Sequence, residues 1–347
     1  MGTQPNQSPL SHHAVAVDPG TSWVKDAKKA IDAPPDGENA PAPEAQWPSI
    51  APRTGVCGAV TPNVVPLADG GYRMYYTQIL PRPGFPAGAD DYDNSTTRIL
   101  SATSQDASTW IPEAGVRLGP REGGAGAFRV VSPEVVPLAD GSGRMRMYYE
   151  CSPGPQSRDS TLRSAVSADA GLTWTVEPGV RFGEPDQSFN APRLVFLEDG
   201  RCRLYCSLRE AGIVSALSED GGLNFVREPG LRIARGGAYD TLTAFAPEVL
   251  RIEGAGYRMY YAGWVAAPEV PAGSKYHGRI FSASSQDGLE WTKEQGICID
   301  NGGRWDAAKA SEPCVIDLPD GRFRMFYEAC DMEGRWRIAS ATAVPST

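Results

Sequence analysis

The sequence predicts an all-β fold, a five-bladed β-propeller of four-stranded antiparallel blades closed by the N-terminal strand. Three observations predict it: a hairpin that recurs five times, a turn box that follows each hairpin, and an N-terminal copy of the last part of the repeat. The hairpin is clearest at Ser132 to Glu150 (SPEVVPLADGSGRMRMYYE), where two apolar runs flank an Asp-Gly turn. Its cognates are Thr61 to Thr77, Ala191 to Ser207, Ala246 to Ala262 and Ser311 to Glu328, marked by Pro62, Pro133, Pro192, Pro247 and Pro313. A hairpin repeated at this length is the pattern of blades packed radially.

The turn boxes read SADAGLTW (Ser167 to Trp174) and SEDGGLNF (Ser218 to Phe225), with forms one residue shorter at Ser104 to Trp110 and Ser285 to Trp291. Each lies between two short apolar runs, which makes the unit two hairpins in series. The fifth unit ends in Arg337 to Ala343 without an outermost strand of its own. Trp23 to Asp32 (WVKDAKKAID) matches Trp291 to Asp300 (WTKEQGICID), and Asp18-Pro19-Gly20 upstream keeps the box spacing. The N-terminal segment is therefore expected to supply the missing strand and remove two exposed edges. A Lys-rich segment of ten residues also fits a short helix by periodicity; the internal match favours the strand.

The boundaries expected are a closing strand at 14–32, a Pro/Ala-rich connector at 33–55, and blades at roughly 56–118, 119–182, 183–233, 234–300 and 301–347. A chain of 347 residues has the length of two domains, but all-β rings commonly run this long as one. The net charge of −9 comes without a basic cluster, which argues against nucleic acid or an anionic membrane as partner. No apolar run has membrane-spanning length, and the first residues, MGTQPNQSPLSHH, lack a secretory pattern, so a cytoplasmic protein is expected. The seven cysteines include no C-x-x-C pair, and buried thiols in a reducing compartment are expected of them. His12, His13 and His277 make neither a His-based triad nor a metal set, and no phosphate or dinucleotide fingerprint occurs, so neither cofactor nor metal is expected.

Loop length locates the working face. Turns within hairpins are tight, whereas Gln78 to Thr97 and Gly263 to Gly278 are long, and long loops on a rigid scaffold carry function. At that mouth each innermost strand presents the residue after its marker proline: Asn63, Glu134, Arg193, Glu248 and Cys314, with the fifth acid moved to Glu312. Glu134, Glu248 and Glu312 are the candidate catalytic acids, because crowded carboxylates split into a proton donor and an ionised base or nucleophile. Asn63, Arg193, Asp186, Asp240, Asp306, Glu150, Arg209 and Glu328 are the candidate substrate-binding groups, with Asn190 and Lys309 able to join them and Trp264, Tyr276 and Tyr92 as stacking platforms. The structural alternative is that the acids pair with Arg193, Arg129 and Lys309 as ion pairs.

SADAGLTW and SEDGGLNF resemble the Asp-boxes of sialidases and related BNR-repeat proteins. The APEV and GYRMYY hairpins resemble the five-bladed glycoside hydrolases of families 43 and 32. The resemblance implies a propeller with a carbohydrate site acting on a small glycoside. Those hydrolases carry an acid near the start of the first blade where this chain has Asn63, so the resemblance transfers no catalytic residue. The function expected is glycoside hydrolysis or related glycan processing, the alternative being a lectin-like propeller that binds a sugar without turning it over.

Overall fold

A computed structural model describes residues 14–32, 57–68, 70–80, 96–121, 123, 127–138, 140–154, 159–270 and 275–343. The expected connector, Tyr92, His12, His13 and most of the loop from Gln78 lie outside them. All named elements are β-strands, and no helix occurs among the described residues.

The N-terminal segment carries β1 (Ala14–Val15) and β2 (Val24–Lys25), and an antiparallel group follows with β3 (Cys57–Pro66), β4 (Tyr72–Leu80), β5 (Thr96–Ser104) and β6 (Ile111–Pro112). The second group is β7 (Arg129–Pro137), β8 (Met145–Ser152), β9 (Thr161–Ser167) and β10 (Thr175–Val176). The third is β11 (Phe189–Phe196), β12 (Cys202–Leu208), β13 (Gly212–Ser218) and β14 (Val226–Arg227), with β15 (Ile233–Ala234) also on β13. The fourth is β16 (Thr243–Ile252), β17 (Gly256–Ala266), β18 (Tyr276–Ser285) and β19 (Thr292–Lys293). The last has β20 (Lys309–Asp317), β21 (Phe323–Cys330) and β22 (Arg335–Ala343), and β2 pairs antiparallel with β22 through Val24↔Thr342 and Lys25↔Ala341. The first strands of the groups neighbour one another in cyclic order: β3 by β7, β7 by β11, β11 by β16, β16 by β20, and β20 by β3.

Each outermost strand is only two residues long, because a turn such as Glu177-Pro178-Gly179 or Glu228-Pro229-Gly230 follows at once and proline cannot donate to a ladder. The chain then doubles back to touch the third strand again: Ile99↔Leu118, Leu162↔Phe182, Ile213↔Ile233 and Ile280↔Ile299. Ile31↔Ile338 repeats this in the N-terminal segment, which is thus a short strand plus a bridge rather than one continuous strand.

The core lies between groups. Five hydrophobic clusters each join two neighbouring groups, for example Val136, Tyr148 and Leu162 with Leu194, Leu204 and Val214. The box aromatics seal these layers edge-on: Trp110 on Phe326, Trp174 on Tyr75, Phe225 on Tyr148, Trp291 on Tyr205 and Trp23 on Tyr260, at 5.4 to 6.0 Å between centroids. Four of the tyrosines also donate to a box carbonyl, Tyr75 to Gly171, Tyr148 to Gly222, Tyr205 to Gly288 and Tyr260 to Gly20. The box Asp holds its own turn, as where Asp169 Oδ1 accepts the amides of Leu172 and Thr173.

Candidate functional site

Every first strand breaks its register once, between Val60 and Asn63, Val131 and Glu134, Asn190 and Arg193, Phe245 and Glu248, and Ser311 and Cys314. The extra residue before each marker proline takes a left-handed backbone: Thr61 (φ 53), Ser132 (53), Ala191 (49), Ala246 (51) and Glu312 (47). That conformation is unusual for a residue with a Cβ and more so before proline, so the bulge is a strained device held by its surroundings. Simple alternation therefore does not run from Glu312 to Cys314. The bulge separates two layers of side chains.

The lower layer is the set after the proline. Asn63, Glu134, Arg193, Glu248 and Cys314 are all buried, at 0 to 3 % exposure. Each acceptor takes an amide of the next strand: Val135 N–H donates to Asn63 Oδ1 (3.0 Å), Leu194 N–H to Glu134 Oε1 (3.0 Å), Val315 N–H to Glu248 Oε1 (2.8 Å) and Val64 N–H to Cys314 Sγ (3.3 Å). Asn63 Nδ2 donates to Glu134 Oε2 at 2.6 Å. Arg193 lies between these first strands, its Nε donating to Glu248 Oε2 (2.8 Å), Nη1 to the Pro192 carbonyl (2.9 Å) and 3.8 Å from Glu134 Oε2, and Nη2 to the Pro62 carbonyl (3.1 Å). Burial disfavours the Arg193 charge, but Glu134 and Glu248 outweigh it and hold its pKa above the usual arginine range. Burial, then the Glu248 charge, pushes the Cys314 thiol far up. Glu134 and Glu248 are thus built into an ion-paired girdle that ties the strands together.

The upper layer holds Glu312 on β20, Glu328 near the end of β21, Glu150 on β8, Arg129 opening β7 and Lys309 opening β20, all buried. Ser311 Oγ donates to Glu328 Oε1 at 2.6 Å, and the Thr61 amide donates to the same carboxyl. Glu150 Oε1 accepts from Ser152 Oγ at 3.1 Å. Glu312 accepts no hydrogen bond from any described residue, and both its Oε2 and Glu328 Oε2 are buried without a partner. Burial and the repulsion of Glu328 hold Glu312 far above the ordinary carboxyl range, against the pull of Arg193. Burial brings Glu328 up to about 7, opposed by Ser311, the Thr61 amide and Lys309.

Beside these acids Lys309 Nζ lies 5.2 Å over Trp264, 5.7 Å over Tyr276 and 5.2 Å over Trp336. Trp264 and Tyr276 stack at 5.4 Å, which takes up one face of each ring. Gly278 is required here, since a Cβ on it would come within 2.9 Å of Trp264 Nε1 and 3.1 Å of Lys309 Cβ.

The remaining sequence candidates are elsewhere. Asp186 is exposed in the turn before β11, and Arg209 is exposed between β12 and β13. Asp240 is buried against Lys293 (2.5 Å), and Asp306 against Lys25 (2.6 Å) and the Tyr327 hydroxyl (2.9 Å). These two aspartates occupy equivalent connector positions, GGAYD and GGRWD, and each clamps the lysine of an outermost strand. His277 bonds the Ala308 carbonyl and Glu269. Trp336, which the sequence reading did not single out, carries only a faint signal, the RWR run that opens β22. Among the described residues no cluster of His, Cys, Asp or Glu could hold a metal ion.

No family model matches the chain. Two uncharacterized proteins of Mycobacterium tuberculosis align locally, one 34% identical over 95 residues (26% of this chain, 28% of the relative) and one 32% identical over 114 residues (32% and 33%). The chain spans about a third of the length of these curated relatives. Among solved structures, a glycoside hydrolase superposes over 93% of both chains with a TM-score of 0.66 at 18% identity. An exo-1,5-alpha-L-arabinanase from a bovine ruminal metagenomic library covers 83% of this chain and 93% of its own (TM-score 0.57, 17% identity). An alpha-L-arabinofuranosidase from Lactobacillus brevis covers 84% and 94% (TM-score 0.60, 12% identity). The fold is one that glycoside hydrolases use. At these identities the likeness is one of fold, and chemistry has to be argued from the residues.

Proposed function

We propose that the chain is a five-bladed β-propeller, closed by its N-terminal strand, that processes a small glycoside with the upper-layer acids at the ring's mouth. The cyclic order of first strands, the five inter-group clusters and the pairing of β2 on β22 support the ring. The observation that carries the chemistry is Glu312: a buried carboxyl with no donor, disfavoured as an anion, beside two further carboxyls. Such a group favours its protonated form and can protonate a departing glycosidic oxygen, the first requirement of glycoside hydrolysis.

Of the three acids at the marker positions, Glu312 takes the acid role in this reading, while Glu134 and Glu248 hold the girdle beneath it with Arg193 and Asn63. Glu150 and Glu328 complete the acidic wall, and Lys309 and Arg129 balance it. The non-catalytic alternative, a sugar-binding propeller, draws on the same girdle, since two acids locked to an arginine and to amides are withdrawn from chemistry.

The test is a panel of aryl glycosides, aryl α-L-arabinofuranosides among them, with and without Glu312→Gln. Turnover that falls by about a hundredfold or more in a folded variant supports the enzyme. Sugar binding without turnover in either protein supports the binding module.

A further inference from the structure

The bulge position occupied by Thr61, Ser132, Ala191 and Ala246 in four strands carries a long, titratable side chain only in the fifth, at Glu312. Its neighbour in the upper layer, Glu328, sits where β4, β12 and β17 carry Thr77, Ser207 and Ala262. Each of these two carboxyls has one oxygen, Oε2, buried without a hydrogen-bond partner. An ionised oxygen left without a donor in a dry site is costly, and two such anions side by side also repel. One proton placed on the pair neutralises one of the two carboxyls and removes their repulsion.

We infer that Glu312 and Glu328 share a single proton, with Glu312 as its carrier and Glu328 as the positioning residue that keeps it there.

The asymmetry follows from the surroundings. At Glu328 the Ser311 hydroxyl, the Thr61 amide and the Lys309 charge favour the anion against its burial. Glu312 has no donor of its own; it faces Glu328 from β21 and Glu150 from β8, and the cations Arg193 from β11 and Arg129 from β7. Of these, the Glu328 charge acts on it most strongly after burial itself. Glu312 also keeps 6 % exposure, so the proton carrier is the member of the pair with the greater access to solvent, against 2 % for Glu328.

This assignment deepens the glycoside reading and rests on it for its use. In that use the bond from the sugar carbon to the departing oxygen breaks with both electrons going to oxygen, which takes the Glu312 proton. Water adds its hydroxyl to the sugar carbon, and its remaining proton replaces the one Glu312 gave.

The test is infrared spectroscopy of the full chain with 13C-labelled glutamate, titrated against pH. A protonated carboxyl C=O band that persists above the Glu328 midpoint of about 7 is expected, and in Glu312→Gln only the Glu328 titration remains. In Glu328→Gln the repulsion is gone, so the band's midpoint should fall by at least about one pH unit. A wild-type protein with no such band, or an unchanged midpoint in Glu328→Gln, overturns the pair. If the variants do not fold, the wild-type band alone decides, since its absence is sufficient to reject. A band that behaves as expected in a protein inactive on every glycoside would instead overturn the glycosidase reading and leave the pair standing.

Discussion

Arg193 is the residue on which the lower layer turns, because its guanidinium meets Glu248, Glu134 and two proline carbonyls from four other strands. Replacing it with Met leaves two buried carboxylates uncompensated, a loss of about 3–5 kcal/mol. Denaturant unfolding should report a drop of that size; a variant as stable as the parent would contradict the girdle. Glu312 and Glu328 give stability a pH dependence of opposite sign to that of most paired carboxylates. Their folded values lie above the ordinary 4.5, so above that pH the folded chain binds more protons than the unfolded one. The Glu328 contribution is complete below about 4.5 and is lost as pH rises through about 7, and that of Glu312 falls in the same direction. Glu312→Gln should remove much of that slope and raise the melting temperature more at pH 8 than at pH 5, as calorimetry can show. Which acids would be structural was not legible in the sequence. Glu134 and Glu312 are both buried acids flanking a marker proline, and only the bulge, which shifts one above Arg193 and the other beside it, separates their roles.

At the scale of elements, the sequence was most legible where a repeat exposed equivalence. WVK at Trp23 and WTK at Trp291 pair in the same way, Lys25 with Asp306 and Lys293 with Asp240, and both tryptophans pack on the tyrosine of the preceding group. Asp240 and Asp306 read in the sequence as substrate-binding groups rather than as clamps, since their partners lie on strands 53 residues away in one case and at the opposite end of the chain in the other. The two-residue outer strands were masked by apolar residues that continue past the Pro-Gly turns. Deleting residues 1–32 should lower the melting temperature sharply, because β22 loses its pairing and Trp23 its contact with Tyr260. An unchanged melting temperature would count against the N-terminal segment as part of the ring. Gly58→Ala should also destabilise, since its φ is +139° and a Cβ would meet the Trp336 carbonyl oxygen at 1.9 Å.

For the whole molecule, the fold class followed from five hairpins, whereas the chemistry depended on contacts among strands far apart in sequence. Lys309 and Trp336 meet with Trp264 and Tyr276 only because β17, β18, β20 and β22 bring them together. The proposed cleavage of a glycoside with Glu312 as proton donor should show in the dependence of rate on the leaving group. Aryl glycosides of graded leaving-group pKa should be compared between the parent protein and Glu312→Gln, with folding checked by circular dichroism. The account predicts that the variant loses about 10²-fold or more on poor leaving groups and far less on the best ones, which need no proton. Equal rates for parent and variant across the series would contradict it.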